Sequence, residues 1–260
     1  MADYKTITVE KKDGVAILTL NRPEVMNAIS DEMTAETAAA VAEIDQDDNV
    51  QVLIVTGAGK AFQAGADIKQ LSEMTPLQLI RWNEGLVRNN AAMEKIRQPV
   101  IAAINGAAMG GGLELALSCT LRVASEKAIM GLPEVNLGII PGAGGTQRLP
   151  RLIGKGRAAK MILTGSIVGA EEALQMGLVE EVAPAEELME VAQKLAKKIM
   201  SKGPVAIQMA KDAIEVGMRC PLDEAVQYSQ KNCAICFSTE DMKEGTGAFL
   251  EKRKPNFQGK

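Results

Sequence analysis

Glu114 and Glu134 are two carboxylates set in apolar sequence, in a chain that contains no histidine. Without histidine no side chain titrates near neutrality unperturbed, so proton transfer falls to tuned carboxylates, Lys, Tyr or Cys. Ser-His-Asp and Cys-His arrangements are excluded, and a zinc site would rest on Cys and carboxylates alone. Glu114 lies within Leu113-Glu114-Leu115-Ala116, where a solvated charge is out of place. Burial would raise its pKa toward the range useful for general acid/base work, whereas an exposed helix charge would stay ordinary. Glu134 follows Pro133, which stiffens the chain, and has Leu132, Val135 and Leu137 around it. Alone, a loop glutamate of this kind reads as a solvated charge. Two carboxylates in apolar settings within a histidine-free chain make an acid/base pair the sharper expectation.

Just before Glu114 runs Asn105-Gly106-Ala107-Ala108-Met109-Gly110-Gly111-Gly112. Glycines between a strand and a helix let backbone N–H groups point at a ligand, and the helix N-terminus adds partial positive charge, which together describe an anion site. A tight strand-to-helix turn with close backbone packing explains the same glycines. Ala64-Gly65-Ala66-Asp67-Ile68-Lys69, after another strand, is either a surface turn or a second N–H donor facing the glycine cluster. Two look-alikes fail. Thr56-Gly57-Ala58-Gly59-Lys60 has Phe62 at the third glycine of a dinucleotide fingerprint and Ala61 where a P-loop needs Ser or Thr. Gly142-Ala143-Gly144-Gly145-Thr146 breaks the same spacing at Gln147, and Cys233 with Cys236 sits in a helical pattern rather than after a strand.

The elements that would position these groups are legible. Ile7 to Glu10 and Val15 to Leu20 flank Asp13-Gly14, a hairpin signal. Ser30 caps a helix to about Ile44, with Asp31 and Glu32 in its first turn. Continuous apolar strands follow at Val52 to Val55 and, beyond a helix from Pro76 to Lys95, at Val100 to Ile104. A short helix spans Leu113 to Ser118, with strands at Leu121 to Ala124 and Ala128 to Met130. Apolar strands separated by helices predict an α/β fold with a buried sheet. From Pro184 only helices are predicted: Glu186 to Met200, one near Pro204 and one opened by Pro221. No strong internal repeat is visible.

Composition narrows the class. At 260 residues, 47% of them hydrophobic, the chain can bury one substantial core. A net charge of -4 gives no attraction to nucleic acid. Met1 to Lys5 has an early acid and no apolar run, so no signal peptide is read there; no stretch has membrane-span length, and the expected compartment is the cytoplasm. The four cysteines follow no secreted framework and are expected to be reduced.

With Asn21-Arg22-Pro23 upstream and Pro141-Gly142-Ala143-Gly144-Gly145-Thr146-Gln147-Arg148 downstream, these segments resemble the enoyl-CoA hydratase (crotonase) family. The similarity extends through Cys236 to Gly245 and Ala248 to Arg253. It implies a crotonase-like spiral of repeated ββα units over 1–195 and a C-terminal all-helical region, 196–260, that builds a homo-oligomer, a hexamer formed as a dimer of trimers. It implies reversible hydration of 2-trans-enoyl-CoA to 3-hydroxyacyl-CoA, with a short, crotonyl-like acyl group favoured, as in fatty-acid β-oxidation. No cofactor or metal is called for, because coenzyme A is part of the acyl-CoA thioester substrate.

The resemblance makes Glu114 and Glu134 catalytic, puts the oxyanion hole on the N–H groups of Ala66 and Gly111, and gives Gly142 a place in holding the water. Coenzyme A would run along Val25, Met26 and Ala28, and along Ala64, Ala66, Asp67, Ile68 and Lys69, with Gly110 and Gly111 beneath. Lys69 would meet phosphate or remain a solvated lysine, and Lys252 would contribute from a neighbouring subunit. Leu71 to Val87, carrying Met74, Trp82 and Leu86, would border the acyl group. Thr120 and Met130-Gly131-Leu132 depart from the commoner family pattern, which questions substrate preference more than reaction type. Competing readings are a branched or cyclic enoyl substrate, double-bond isomerisation, thioester hydrolysis, and a non-catalytic RNA-binding role for which no helix carries the basic comb required.

Overall fold

Asp13 and Gly14 both take positive φ, 51° and 82°, and join β1 (Ile7–Lys12) to β2 (Val15–Leu20) as an antiparallel hairpin. Positive φ at both turn positions matches the right-handed twist of the strands, which is why Asp-Gly marks such turns. The computed structural model describes residues 4–260; Met1 to Asp3, part of the stretch read for a targeting signal, lie outside the described residues. Ser30 accepts from Met33 N and starts α1 (Asp31–Asp45). β3 (Val52–Gly57) and β4 (Ala61–Gln63) follow, then α2 (Ile68–Ser72) and α3 (Pro76–Lys95), which opens with a capping box between Thr75 and Gln78. Next come β5 (Val100–Ile104), β6 (Ala107–Met109), α4 (Gly111–Ser118), β7 (Leu121–Ser125) and β8 (Ile129–Gly131). The chain continues through α5 (Gly145–Ile153), α6 (Lys155–Thr164), β9 (Ile167–Gly169), α7 (Ala170–Met176) and β10 (Glu181–Ala183). It ends in α8 (Leu188–Met200), α9 (Pro204–Gly217), α10 (Leu222–Phe237) and α11 (Glu240–Leu250).

The strands form two sheets, one in the order β1-β2-β3-β5-β7-β10 and one in the order β4-β6-β8-β9. The pairs β3/β4, β5/β6 and β7/β8 each send their first strand to the large sheet and their second to the small one, with helix after each pair. The chain thus advances as a spiral of ββα turns. The repeat lies in the backbone path, and the residues filling each turn differ, so no sequence repeat betrays it.

Burial on both faces explains the unbroken apolar strands. In β3, Leu53 and Val55 face one core with Phe62, Met93 and Leu113, while Val52 and Ile54 face a second with Ile101 and Val123. α8 covers that second face with Leu188, Ala192 and Ala196. It starts at Leu188, two residues later than the amphipathic pattern suggests, because Pro184 to Glu187 closes a turn of its own. α4 starts earlier than Leu113, at Gly111, so the glycine cluster forms the helix's first turn. α9 is tied to the spiral by Lys211, whose Nζ donates to the carbonyls of Glu94 (2.6 Å) and Ile96 (2.7 Å) at the end of α3. Among the described residues no helix is long and apolar enough to cross a membrane.

Candidate active site

β4, β6 and β8 are neighbours in the small sheet and run parallel, so the chain leaves all three at the same edge. Shortly beyond β4 comes Ala66, beyond β6 comes Gly111, and beyond β8 comes Glu134. Adjacent strands lie about 4.8 Å apart, so three consecutive rungs deliver three groups to one place. The first two segments do meet: a Cβ built on Gly65 would lie 2.8 Å from Met109 O and 3.8 Å from Gly111 N. Neither the Ala66 nor the Gly111 N–H has an acceptor among the described residues. Gly111 opens α4, where first-turn amides have no intrahelical partner and carry the positive end of the dipole. The segment 64–69 therefore lies against the glycine cluster, and Ala66 and Gly111 line the same cavity.

Two of the cluster's glycines are required by geometry. Gly110 has φ 53°, and a Cβ there would sit 3.1 Å from Glu134 Oε1. Gly112 packs so tightly that its Cβ would fall 2.1 Å from the Gln63 carbonyl oxygen, bringing α4 against β4.

The segment 22–29 braces the Ala66 loop from behind. Asn27, buried at φ 58°, donates through Nδ2 to the carbonyls of Ala58 (2.9 Å) and Ala61 (2.8 Å) and accepts from Arg22 N. Ala64 N donates to Met26 O, and Ile29 N to Gly65 O. The turn from Arg22 to Ile29, just after the Asn-Arg-Pro motif begins, therefore shapes the loop that carries Ala66.

Glu114 projects from the first turn of α4 and is 2% exposed. Its Oε1 accepts from the N–H of Ala143 (2.8 Å) and of Gly145 (2.7 Å). Burial raises its pKa, opposed by these N–H donors and by the charge of Arg148. Glu134 stands in a 3-10 turn, Pro133–Leu137, rather than in an irregular loop. Its Oε2 is buried with no hydrogen-bond partner, and its pKa is pushed up to about 7, first by burial and further by the charge of Glu114. One carboxylate is clamped by peptide donors; the other is poised to hold or release a proton near neutrality.

Both open into a cavity of about 760 Å³ that Ala64, Ala66, Ile68, Gly110, Gly111 and Gly142 also line. Val25, Met26, Ala28, Asp67 and Lys69 lie outside its lining; Val25 and Met26 are exposed, and Asp67 caps α2 by accepting from Lys69 N. The far wall is apolar. α3 contributes Leu79, Trp82, Asn83 and Leu86, and the chain after Glu134 contributes Leu137, Ile139 and Ile140. Of the residues expected on this wall Trp82 and Leu86 are present, while Met74 does not line it. Leu79, Asn83 and Ile140 were not among the candidates. The spacing 79, 82, 83 and 86 marks one helix face and could have found the first two.

The sequence profile of the family described as Enoyl-CoA hydratase/isomerase matches residues 10–260. The chain belongs to that family. The Short-chain-enoyl-CoA hydratase of Clostridium acetobutylicum is 44% identical over 255 residues, covering 97% of each chain. The Crotonyl-CoA hydratase of Syntrophomonas wolfei is 45% identical over 261 residues, covering 99% of each. The crystal structure of an enoyl-CoA hydratase from Bacillus anthracis superposes with a TM-score of 0.95 at 43% identity, covering 98% of this chain and 100% of that one. The crotonase-like spiral expected of the family is the fold described above.

The two departures from the family pattern fall away from the cavity wall. Thr120 accepts from Val100 N through its hydroxyl (3.1 Å) at the start of β5. Met130 is buried in β8, and Leu132 packs beneath Gly145, where a Cβ would lie 2.8 Å from Leu132 Cδ1. Neither lines the cavity, so both bear on packing behind the site rather than on what fills it.

Proposed function

We propose that the protein reversibly hydrates short-chain 2-trans-enoyl-CoA thioesters to 3-hydroxyacyl-CoA. The observation that carries this reading is the convergence of Glu114 and Glu134 on one apolar cavity beside the Ala66 and Gly111 amides. The names of the short-chain and crotonyl-CoA hydratases, each similar over nearly the whole chain, support the same reaction and acyl class.

In this reading the thioester oxygen accepts from the Ala66 and Gly111 N–H groups. Glu114, as a carboxylate oriented by its donors, takes a proton from water as the water oxygen bonds to C3 of the substrate. The C2–C3 double-bond electrons move toward C2 and the thioester oxygen, whose developing charge the two amides stabilise by roughly 3 kcal/mol each. Protonated Glu134 delivers its proton to C2. Each acid/base contribution is about 10²–10⁴-fold. Gly142, on the cavity wall, helps hold the water. Double-bond isomerisation or thioester hydrolysis would not call on both carboxylates in this way.

Coenzyme A supplies no chemistry of its own and leaves the cavity past Ala64 to Lys69, with Val25, Met26 and Ala28 beside it. The region 196–260 builds trimers paired into hexamers, supported by the exposed apolar side chains of Ile214, Met218, Leu222 and Val226 on α9 and α10. The working place is fatty-acid β-oxidation in the cytoplasm. Loss of the conjugated thioester absorbance of crotonyl-CoA tests the activity, with Glu114→Gln and Glu134→Gln beside the natural chain. Inactivity on short, long and cyclic enoyl-CoAs alike would refute it.

A further inference from the structure

Glu114 is held through main-chain N–H groups of a neighbouring segment. Ala143, in the irregular chain before α5, and Gly145, the first residue of α5, grip its Oε1. That segment is braced from outside. Arg148 Nη1 donates to Ala143 O at 2.9 Å, and Asn90 Nδ2 donates to the same oxygen at 3.2 Å. The guanidinium packs against Gly144, where a Cβ would fall 1.9 Å from Nη1. Its other edge is anchored: Nε donates to Glu94 Oε1 on α3 at 2.5 Å. Glu94 is fixed in turn by Lys211 Nζ of α9 on its backbone carbonyl (2.6 Å) and by Arg219 Nη2, in the turn just after α9, on its Oε2 (3.0 Å).

Ala143 is thus held on both sides, its carbonyl by Arg148 and Asn90 and its N–H by Glu114. A guanidinium fork fixes direction in a way that an ammonium cannot. We propose that Arg148 is a positioning residue for catalysis, orienting the Glu114 carboxylate through the Ala143–Gly145 peptides, and that Glu94 extends this brace to α9. The proposal rests on Glu114 serving as the water-activating base. The charged groups facing Glu114 are Arg148, whose charge favours its ionisation, and Glu134, whose own pKa the charge of Glu114 raises.

Two measurements on the full chain decide it: steady-state hydration of crotonyl-CoA, and carboxyl-carbon NMR titration of labelled glutamate, with Glu114→Gln assigning the Glu114 signal. Arg148→Gln is expected to lower kcat by about ten- to hundredfold with KM within about twofold, the signature of a misplaced group. It should also move the Glu114 midpoint upward. Arg148→Lys, which keeps the charge without the fork, should recover only part of both effects. Glu94→Gln should shift both in the same direction by less. The proposal is overturned if a folded Arg148→Gln keeps its Glu114 midpoint, or if Lys restores full activity. Should Arg148→Gln fail to fold, an unchanged kcat and midpoint in Glu94→Gln overturns it instead. If the natural chain hydrates nothing, the hydratase reading fails, and the NMR midpoints still decide whether Arg148 orients Glu114.

Discussion

Glu114 and Glu134 line one cavity, and the charge of the first raises the proton affinity of the second beyond what burial does alone. Two carboxylates that share a site titrate as a pair, so one proton is retained over a range in which isolated glutamates would both be ionised. On the proposed mechanism that retained proton is the one delivered to C2.

The pH dependence of kcat/KM should therefore be the same in the two directions, because both use the pair carrying one proton and no net proton is exchanged with solution. On the proposed mechanism hydration needs Glu134 protonated, so kcat/KM should fall as pH rises through about 7, the value to which its pKa is pushed. Dehydration starts from the same single proton placed on Glu114 and should fall through the same midpoint. Initial rates with crotonyl-CoA and with 3-hydroxybutyryl-CoA between pH 5.5 and 9 (roughly, so as to bracket neutrality) check this, and a kcat/KM that does not fall through about 7 would remove Glu134 from this role.

Glu134→Gln should trade activity for stability. The folded pKa stands above the unfolded one of 4.5, so ionising Glu134 is disfavoured in the folded chain. That penalty is absent below the unfolded pKa, grows between the two values and is complete above about 7. Gln removes it while keeping the shape. The Tm advantage of the variant should be small in acid and largest at alkaline pH, while kcat drops about 10²–10⁴-fold. Thermal unfolding at both ends of that range checks the sign.

Gly112→Ala should cost stability without touching a reacting atom. The added Cβ would meet backbone, the Gln63 carbonyl at 2.1 Å, and backbone cannot turn aside as a side chain can. Overpacking of this kind costs about 1–3 kcal/mol. Because α4 must back away from β4, the Gly111 amide moves too. Tm and kcat should fall together, and a variant with native values of both would contradict the packing described.

Trp82→Ala should widen the acyl wall. Trp82 packs with Ile29, Leu86 and Ala143 beside the glutamates. Each methylene accommodated in an apolar pocket is worth about 1–3 kcal/mol, so the ratio of kcat/KM for an octenoyl over a crotonyl substrate should rise by about tenfold or more. An unchanged ratio would place the acyl end elsewhere.

Much of the fold was legible because local signals and tertiary demand agree. Asp13-Gly14 takes the positive-φ turn its residue types favour, Ser30 caps α1 through its own side chain, and β3 and β5 are apolar because both faces are covered. Glu114 was legible since a carboxylate in an apolar helix has few bland explanations. Glu134 was less so: whether a glutamate after Pro133 is solvated depends on what packs over it, and here those neighbours come from distant turns of the chain. The small sheet, apart from β8 expected at Ala128 to Met130, stayed hidden for the same reason. β4, β6, β8 and β9 have three residues each, too few for a period to register. Asn83 escaped notice although it lies over Gly142, where a Cβ would come 2.6 Å from its Nδ2. Only the folded chain brings those two together.

The three parallel exits of the small sheet work as a ruler. The gap between the two amide donors, and from them to Glu134, is graduated in strand spacings that hydrogen bonding sets and that side chains scarcely alter. The wall across the cavity, built by α3 and by Leu137 to Ile140, has no such constraint. On the proposed function, the α3 part of that wall can be redesigned for another acyl group while the reacting geometry keeps its calibration.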